Sequence, residues 1–140
     1  MKHFLNSDIE SIINNTSEII NFFDGKKILL TGGNGFLGKY FIEIFSKYNL
    51  ILENPINLTV FDNTFKLNEK KKNIHLIKKD VSLPFSSNKK YDIIIHAAGI
   101  ASPYYYRKKP IETIEVTIQG IKNCLDLAKK NKSKIIYFST

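Results

Sequence analysis

Three glycines, Gly32, Gly35 and Gly38, stand in the run Lys26-Lys27-Ile28-Leu29-Leu30-Thr31-Gly32-Gly33-Asn34-Gly35-Phe36-Leu37-Gly38. Their spacing suits one piece of chemistry, the cradling of a diphosphate by backbone. Gly32 permits a tight turn off a preceding strand. Gly35 lets a ligand approach the backbone without a Cβ in the way, and Gly38 lets the following helix pack closely. The N–H groups around Gly35, Phe36 and Leu37 then face outward at the positive end of a helix dipole, where an anion is stabilised. Asn34 lies in the same turn and is a candidate contact with it. Gly33, Gly35 and Gly38 also satisfy G-x-G-x-x-G, which gains meaning only from a strand before it and a helix after it. A glycine-rich turn without a ligand is the alternative reading.

Asp62 lies 24 residues beyond Gly38, at the end of the apolar run Asn57-Leu58-Thr59-Val60-Phe61. A carboxylate at the tip of a second strand accepts hydrogen bonds from the adenosine ribose of a bound dinucleotide and repels a 2′-phosphate, which points to NAD rather than NADP. Lys66 nearby works against that discrimination, and a turn-forming Asp is the alternative. Asn63, next in the chain, joins Asp62 as a candidate cofactor contact. Asp80 is placed to accept from an adenine amino group while Val81 supplies an apolar contact, unless Asp80 merely caps its turn. Ala97, Ala98 and Gly99 are small residues at a strand's end, where a ligand lies against backbone. His75 and His96 have no partner at metal-ligand spacing, so no metal is expected.

For these residues to meet, strands and helices must alternate. Ile28–Leu30 reads as a strand covered on both faces. A helix over about 36–48 follows, with Phe41, Ile42 and Phe45 on its apolar side. After a turn at Asn54-Pro55 come strands over 57–61, 74–77, 91–96 and 134–138, with a basic, solvated loop over 66–73. Pro110 opens a helix running to about Lys130. Its Ile111, Ile114, Ile118, Ile121, Leu125 and Ala128 keep i+3/i+4 spacing, which predicts a core-facing stripe, with Glu112, Glu115, Lys122, Lys129 and Lys130 on the solvated side. Residues 7–23 read as an amphipathic helix with Ser7 and Glu10 as a capping box, ended by Asp24-Gly25. The fold class is therefore α/β: a Rossmann-type doubly wound parallel sheet of about five strands with an N-terminal amphipathic helix. Residues 1–25 form a helical extension and 26–140 the NAD-binding domain, its sheet incomplete at the C-terminal end.

Composition narrows the function classes. The 140 residues carry a net charge of +8, unevenly: residues 1–25 are acidic and the remainder is strongly basic. Of the 21 basic residues only Arg107 is Arg. Readers of nucleic acid usually include several Arg for bidentate contacts, so a solvated, phosphate-tolerant surface is the better reading. The single cysteine, Cys124, excludes a disulfide framework and suits a reducing, cytoplasmic setting. No signal peptide is visible and no stretch has the length of a membrane span.

Thr31-Gly32-Gly33-Asn34-Gly35-Phe36-Leu37-Gly38, Asp62, Asp80-Val81, His96-Ala97-Ala98-Gly99 and Phe138-Ser139-Thr140, in this order and spacing, resemble the extended short-chain dehydrogenases of the NAD-dependent epimerase/dehydratase family. The similarity runs from about Lys26 to Thr140. Ala101-Ser102-Pro103 and the tyrosines after it look most like the UDP-glucuronate decarboxylase and dTDP-glucose 4,6-dehydratase branch.

The resemblance implies NAD along the strand tips, a UDP- or dTDP-linked sugar as substrate, hydride removal at C4 of the sugar, and a homodimer for the full-length enzyme. It implies a catalytic Ser or Thr after the last strand, a position that Thr140 occupies. It also implies a Tyr-x-x-x-Lys helix further on, with tyrosinate as base and Lys lowering its pKa. Tyr104-to-Lys108 and Tyr105-to-Lys109 match that spacing but precede the last strand, in what reads as a loop. They are read as coincidence, with Tyr104–Tyr106 lining the nicotinamide or sugar side. Thr117-Ile118-Gln119-Gly120-Ile121 departs from the family's Asn-x-x-Gly-Thr. The expectation is the N-terminal part of a longer enzyme, binding NAD weakly and inactive alone. Two other readings stay open: a stand-alone NAD-binding or assembly module, and a basic nucleic-acid-binding domain.

Overall fold

The computed structural model describes residues 6–66 and 68–138. Its elements are α1 (Asn6–Asn15), a 3-10 helix (Ser17–Phe23), β1 (Lys27–Thr31), α2 (Phe36–Tyr48), β2 (Asn57–Asp62), β3 (Glu69–Lys71), β4 (Ile74–Lys78), β5 (Ile93–His96), α3 (Pro103–Lys108), α4 (Pro110–Asn131) and β6 (Lys134–Tyr137). One sheet orders the strands β3-β4-β2-β1-β5-β6. β4, β2, β1, β5 and β6 run parallel, as expected of a doubly wound sheet. β3 is an addition: it pairs antiparallel with β4, inside the segment expected to be a solvated basic loop. Glu-Lys-Lys has no apolar pattern, so only the ladder with β4 reveals it as a strand.

The strands at the centre are apolar on both faces because helices cover both. From β1, Ile28 and Leu30 join Phe45, Tyr48, Leu58, Val60, Ile93 and Ile95 in one core. Leu29 points the other way, into a second core with Phe61, Ile94, Cys124 and Leu127. Ile28, Leu29 and Leu30 are completely buried. Period-two alternation thus feeds two layers, one roofed by α2 and the other by α4.

The N-terminal segment is two helices rather than one. Thr16 breaks it: its hydroxyl bonds back to the Ile12 carbonyl at 2.6 Å and also meets the Tyr48 hydroxyl on α2. A side-chain hydroxyl competing for helix carbonyls interrupts the regular ladder. Ser7 lies inside α1 rather than at its cap.

The largest departure concerns α4. Ile111, Ile114, Ile118 and Leu125 are exposed, by 64, 53, 61 and 49%, so the expected stripe does not face the core. Ile121 is half-buried, and of the six only Ala128 is buried. The buried face is Gly120, Asn123, Cys124, Leu127 and Ala128. It is rotated by about one residue, roughly 100°, from the expected one. Small residues let the helix backbone come close to the sheet, and Gly120 lies against the His96 ring. Asn123 is buried because its amide donates to the Val81 and Leu83 carbonyls, at 2.8 and 3.0 Å.

Candidate functional site

The register of the sheet assembles the site. Thr31 pairs with Phe61 on one side and with His96 on the other. The residues that follow, Gly32, Asp62 and Ala97, therefore leave the sheet at one level. The chain passes from β1 to β2 on one side and returns to β5 on the other, so a crevice opens beyond these strand ends.

Gly32 has φ +77°, a left-handed conformation, and a Cβ there would lie 2.6 Å from the Ala97 carbonyl oxygen. Only glycine satisfies both conditions. A Cβ on Gly38 would stand 2.1 Å from the Gly32 carbonyl oxygen, so this glycine lets α2 close onto the turn. Gly35 is the N-cap of α2 and makes no side-chain capping bond. Its own N–H is spent on the Gly32 carbonyl at 3.1 Å. The first amides of α2 have no partner within their helix, which is the arrangement that receives an anion.

A cavity of about 650 Å³ fills the crevice. Gly32, Asn34 and Gly35 line it from the turn, Asp62 and Asn63 from the end of β2, Asp80 and Val81 from beyond β4, and Ala97, Ala98 and Gly99 from beyond β5. The structure thus brings ten of the residues singled out in the sequence to one hollow. Phe36, Leu37 and Gly38 are not in its wall. The Phe36 and Leu37 side chains face an apolar groove with Ile12, Tyr40, Phe41 and Ile44. Thr140 lies outside the described residues.

Several lining residues went unnoticed in the sequence as cavity residues: Thr64, Lys79 and Ser82, and on the far wall Lys109, Glu112 and Glu115. Glu112 and Glu115 are exposed, as expected for the solvated side of their helix, and also border the cavity because of how α4 crosses the sheet. The Lys79 ammonium sits 5.4 Å and 5.5 Å from the Phe61 and Phe85 ring centres. Tyr104–Tyr106 fall in α3, a short helix rather than a loop, and are exposed outside the cavity wall. The Lys108 ammonium lies 4.6 Å over the face of the Tyr104 ring.

Both carboxylates are held by backbone and hydroxyl donors, Asp62 from the glycine turn and from its own turn, Asp80 from its own turn alone. Asp62 Oδ2 accepts the Asn34 backbone N–H at 2.9 Å, and Oδ1 accepts the Thr64 N–H and hydroxyl at 2.9 and 2.6 Å. Asp80 Oδ1 accepts the Ser82 N–H and hydroxyl at 2.9 and 2.6 Å, so it does cap its turn while lining the cavity.

Behind the wall, Thr31 Oγ1 lies 2.7 Å from His96 Nδ1 and accepts the Ala98 N–H at 3.4 Å. Burial pushes the His96 imidazole down to about 4 and the Cys124 thiol up to about 12. Both groups are therefore neutral at ordinary pH. Among the described residues there is no group of three or more His, Cys, Asp or Glu able to hold a metal, and no helix long and apolar enough to cross a membrane.

Topology defines a Rossmann-type doubly wound fold with a cavity beyond its central strand ends. Residues 28–140 match the NAD-dependent epimerase/dehydratase family, and the chain belongs to that family. It is 35% identical over 122 residues to UDP-glucuronic acid decarboxylase 3 of Arabidopsis thaliana, covering 81% of this chain and 33% of that protein. The fold is similar to that of the epimerase Mth375 from Methanothermobacter thermautotrophicus, with a TM-score of 0.73 at 20% identity over 91% of this chain and 39% of the other. It is also similar to Bordetella bronchiseptica WbmF, whose structure is a complex with NAD+ and UDP, with a TM-score of 0.69 at 15% identity over 84% of this chain and 36% of the other. The chain spans about a third of the length of the curated relatives it matches.

Proposed function

We propose that residues 26–140 are the NAD-binding portion of a nucleotide-sugar epimerase, dehydratase or decarboxylase, and that residues 1–25 are a helical extension to it. The observation that carries this reading is the cavity itself. The glycine turn, Asp62 and the small residues after β5 form one hollow, at the crevice where a family member holds its dinucleotide.

The residues fit the group. Gly32 and Gly35 leave room for a diphosphate at the uncapped start of α2. Asp62 and Asn63 stand where the adenosine ribose would lie, Asp80 and Val81 at the adenine end, and Ala97, Ala98 and Gly99 along the wall toward the nicotinamide. Phe36 and Leu37 contribute through backbone N–H groups, since their side chains face elsewhere. NAD, when bound, supplies a hydride acceptor for oxidation at C4 of the sugar. This chain's part is to bind the cofactor, fix its ribose and exclude side chains from the diphosphate.

The similarity to UDP-glucuronic acid decarboxylases favours a UDP- or dTDP-linked sugar as substrate of the full-length, homodimeric, cytoplasmic enzyme. Thr140 would bond the sugar hydroxyl. Turnover would further need a placed Tyr-x-x-x-Lys base of the kind the family resemblance implies; residues 26–140 by themselves bind NAD and turn nothing over.

Calorimetric titration of the folded chain tests the reading. NAD binds saturably, and Asp62→Ala weakens it about tenfold, in line with the loss of hydrogen bonds to a charged group. No NADH forms from a panel of UDP- and dTDP-sugars. Absence of saturable binding in a folded sample overturns the site. Clear turnover overturns the division of labour.

A further inference from the structure

We propose that Asn34 and Thr64 are positioning residues for Asp62, locking its carboxylate so that the cavity accepts a ribose with a free 2′-hydroxyl and rejects one carrying a phosphate. The inference rests on the dinucleotide reading above and adds a determinant to it.

The contacts form a closed ring between two loops. The Asn34 backbone N–H donates to Asp62 Oδ2 at 2.9 Å, and the Asn34 side-chain amide donates to Thr64 Oγ1 at 2.7 Å. Thr64 passes the contact on, its hydroxyl donating to Asp62 Oδ1 at 2.6 Å and its N–H to the same oxygen at 2.9 Å. The Thr64 hydroxyl therefore has its single proton committed to Asp62 and a lone pair committed to Asn34. A carboxylate offers about four acceptor positions. Three are filled by these donors, which leaves Oδ2 with one position for a ligand.

Two consequences follow. The side chain cannot rotate to another rotamer without breaking three hydrogen bonds, so its charge stays at the cavity edge. It also cannot move aside for a phosphate, whose like charge it would repel. The ring further ties the glycine turn to the β2 end, so the diphosphate and ribose subsites keep a fixed separation.

Lysines also border the cavity. Lys79 lines the cavity and its backbone N–H donates to the Asp62 carbonyl at 3.1 Å. Its ammonium is held over the Phe61 and Phe85 rings. Lys66, which the sequence suggested as the countervailing charge, is not in the cavity wall.

The test is the ratio of NADP to NAD dissociation constants, measured by calorimetry on the full chain and its Thr64→Val, Thr64→Ser and Asn34→Ala variants. Thermal unfolding of each variant verifies the fold. Wild type prefers NAD. Thr64→Val and Asn34→Ala lower the ratio about three- to tenfold, the equivalent of one hydrogen bond. Thr64→Ser, which keeps the hydroxyl, restores it. A purely structural role moves both constants together and leaves the ratio unchanged, and that result overturns the inference while sparing the site. Saturable binding of neither dinucleotide to the wild type overturns both.

Discussion

His96 is inaccessible to solvent, yet its Nε2 has no hydrogen-bond partner among the described residues. The strand places it there. It ends β5 beside Thr31, and the ring stacks against Tyr137 with centres 5.5 Å apart. Burial holds its folded pKa near 4, against about 6.5 in an unfolded chain. The folded state thus binds fewer protons than the unfolded state between those values. Stability carried by His96 is complete above about pH 6.5 and declines as pH falls toward 4, by up to roughly 3 kcal/mol. Urea denaturation at several pH values should show this slope, and His96→Gln should flatten it relative to wild type. Most of the site was legible at this scale. Gly32, Asp62, Asp80 and Ala97–Gly99 are set by local geometry at strand ends. Thr64 and Lys79 were not, because their roles come from loops that meet only after the sheet forms.

At the scale of elements, β1, β2 and β5 were readable because a strand covered on both faces must be apolar throughout. The turn of α2 was readable because few other residues tolerate what Gly32 and Gly38 tolerate. α4 was readable as a helix but not in its orientation. Its large aliphatics have the regular spacing of a core face, whereas the true face shares only Ala128 with that stripe and adds Gly120 and Cys124, small residues that permit close approach. Substitutions separate the two faces. Ile114→Glu and Ile118→Glu should alter the stability of this chain by no more than about 0.5 kcal/mol, as exposed positions do. Leu127→Ala should cost about 2–5 kcal/mol through a cavity against the sheet. Chemical denaturation of the three variants reads this directly. β3 and the break at Thr16 were not legible, since one depends on a neighbouring strand and the other on a hydroxyl reaching Tyr48.

For the molecule as a whole, the two borders of the sheet are unlike. One ends in β3, whose sequence is Glu-Lys-Lys. The other ends in β6, where Ile136 and Tyr137 are exposed by 46 and 40%, and Phe138 just beyond by 42%. β6 pairs only with β5 among the described residues. Charged residues at a border discourage a foreign strand from adding on, and a greasy border with unspent amides invites one. The chain handled by itself therefore has a polarity to its stickiness: molecules should clump through the β6 side. Light scattering of concentrated samples should rise with time for wild type and far less for Ile136→Lys, with NAD leaving the difference in place because the cavity lies elsewhere.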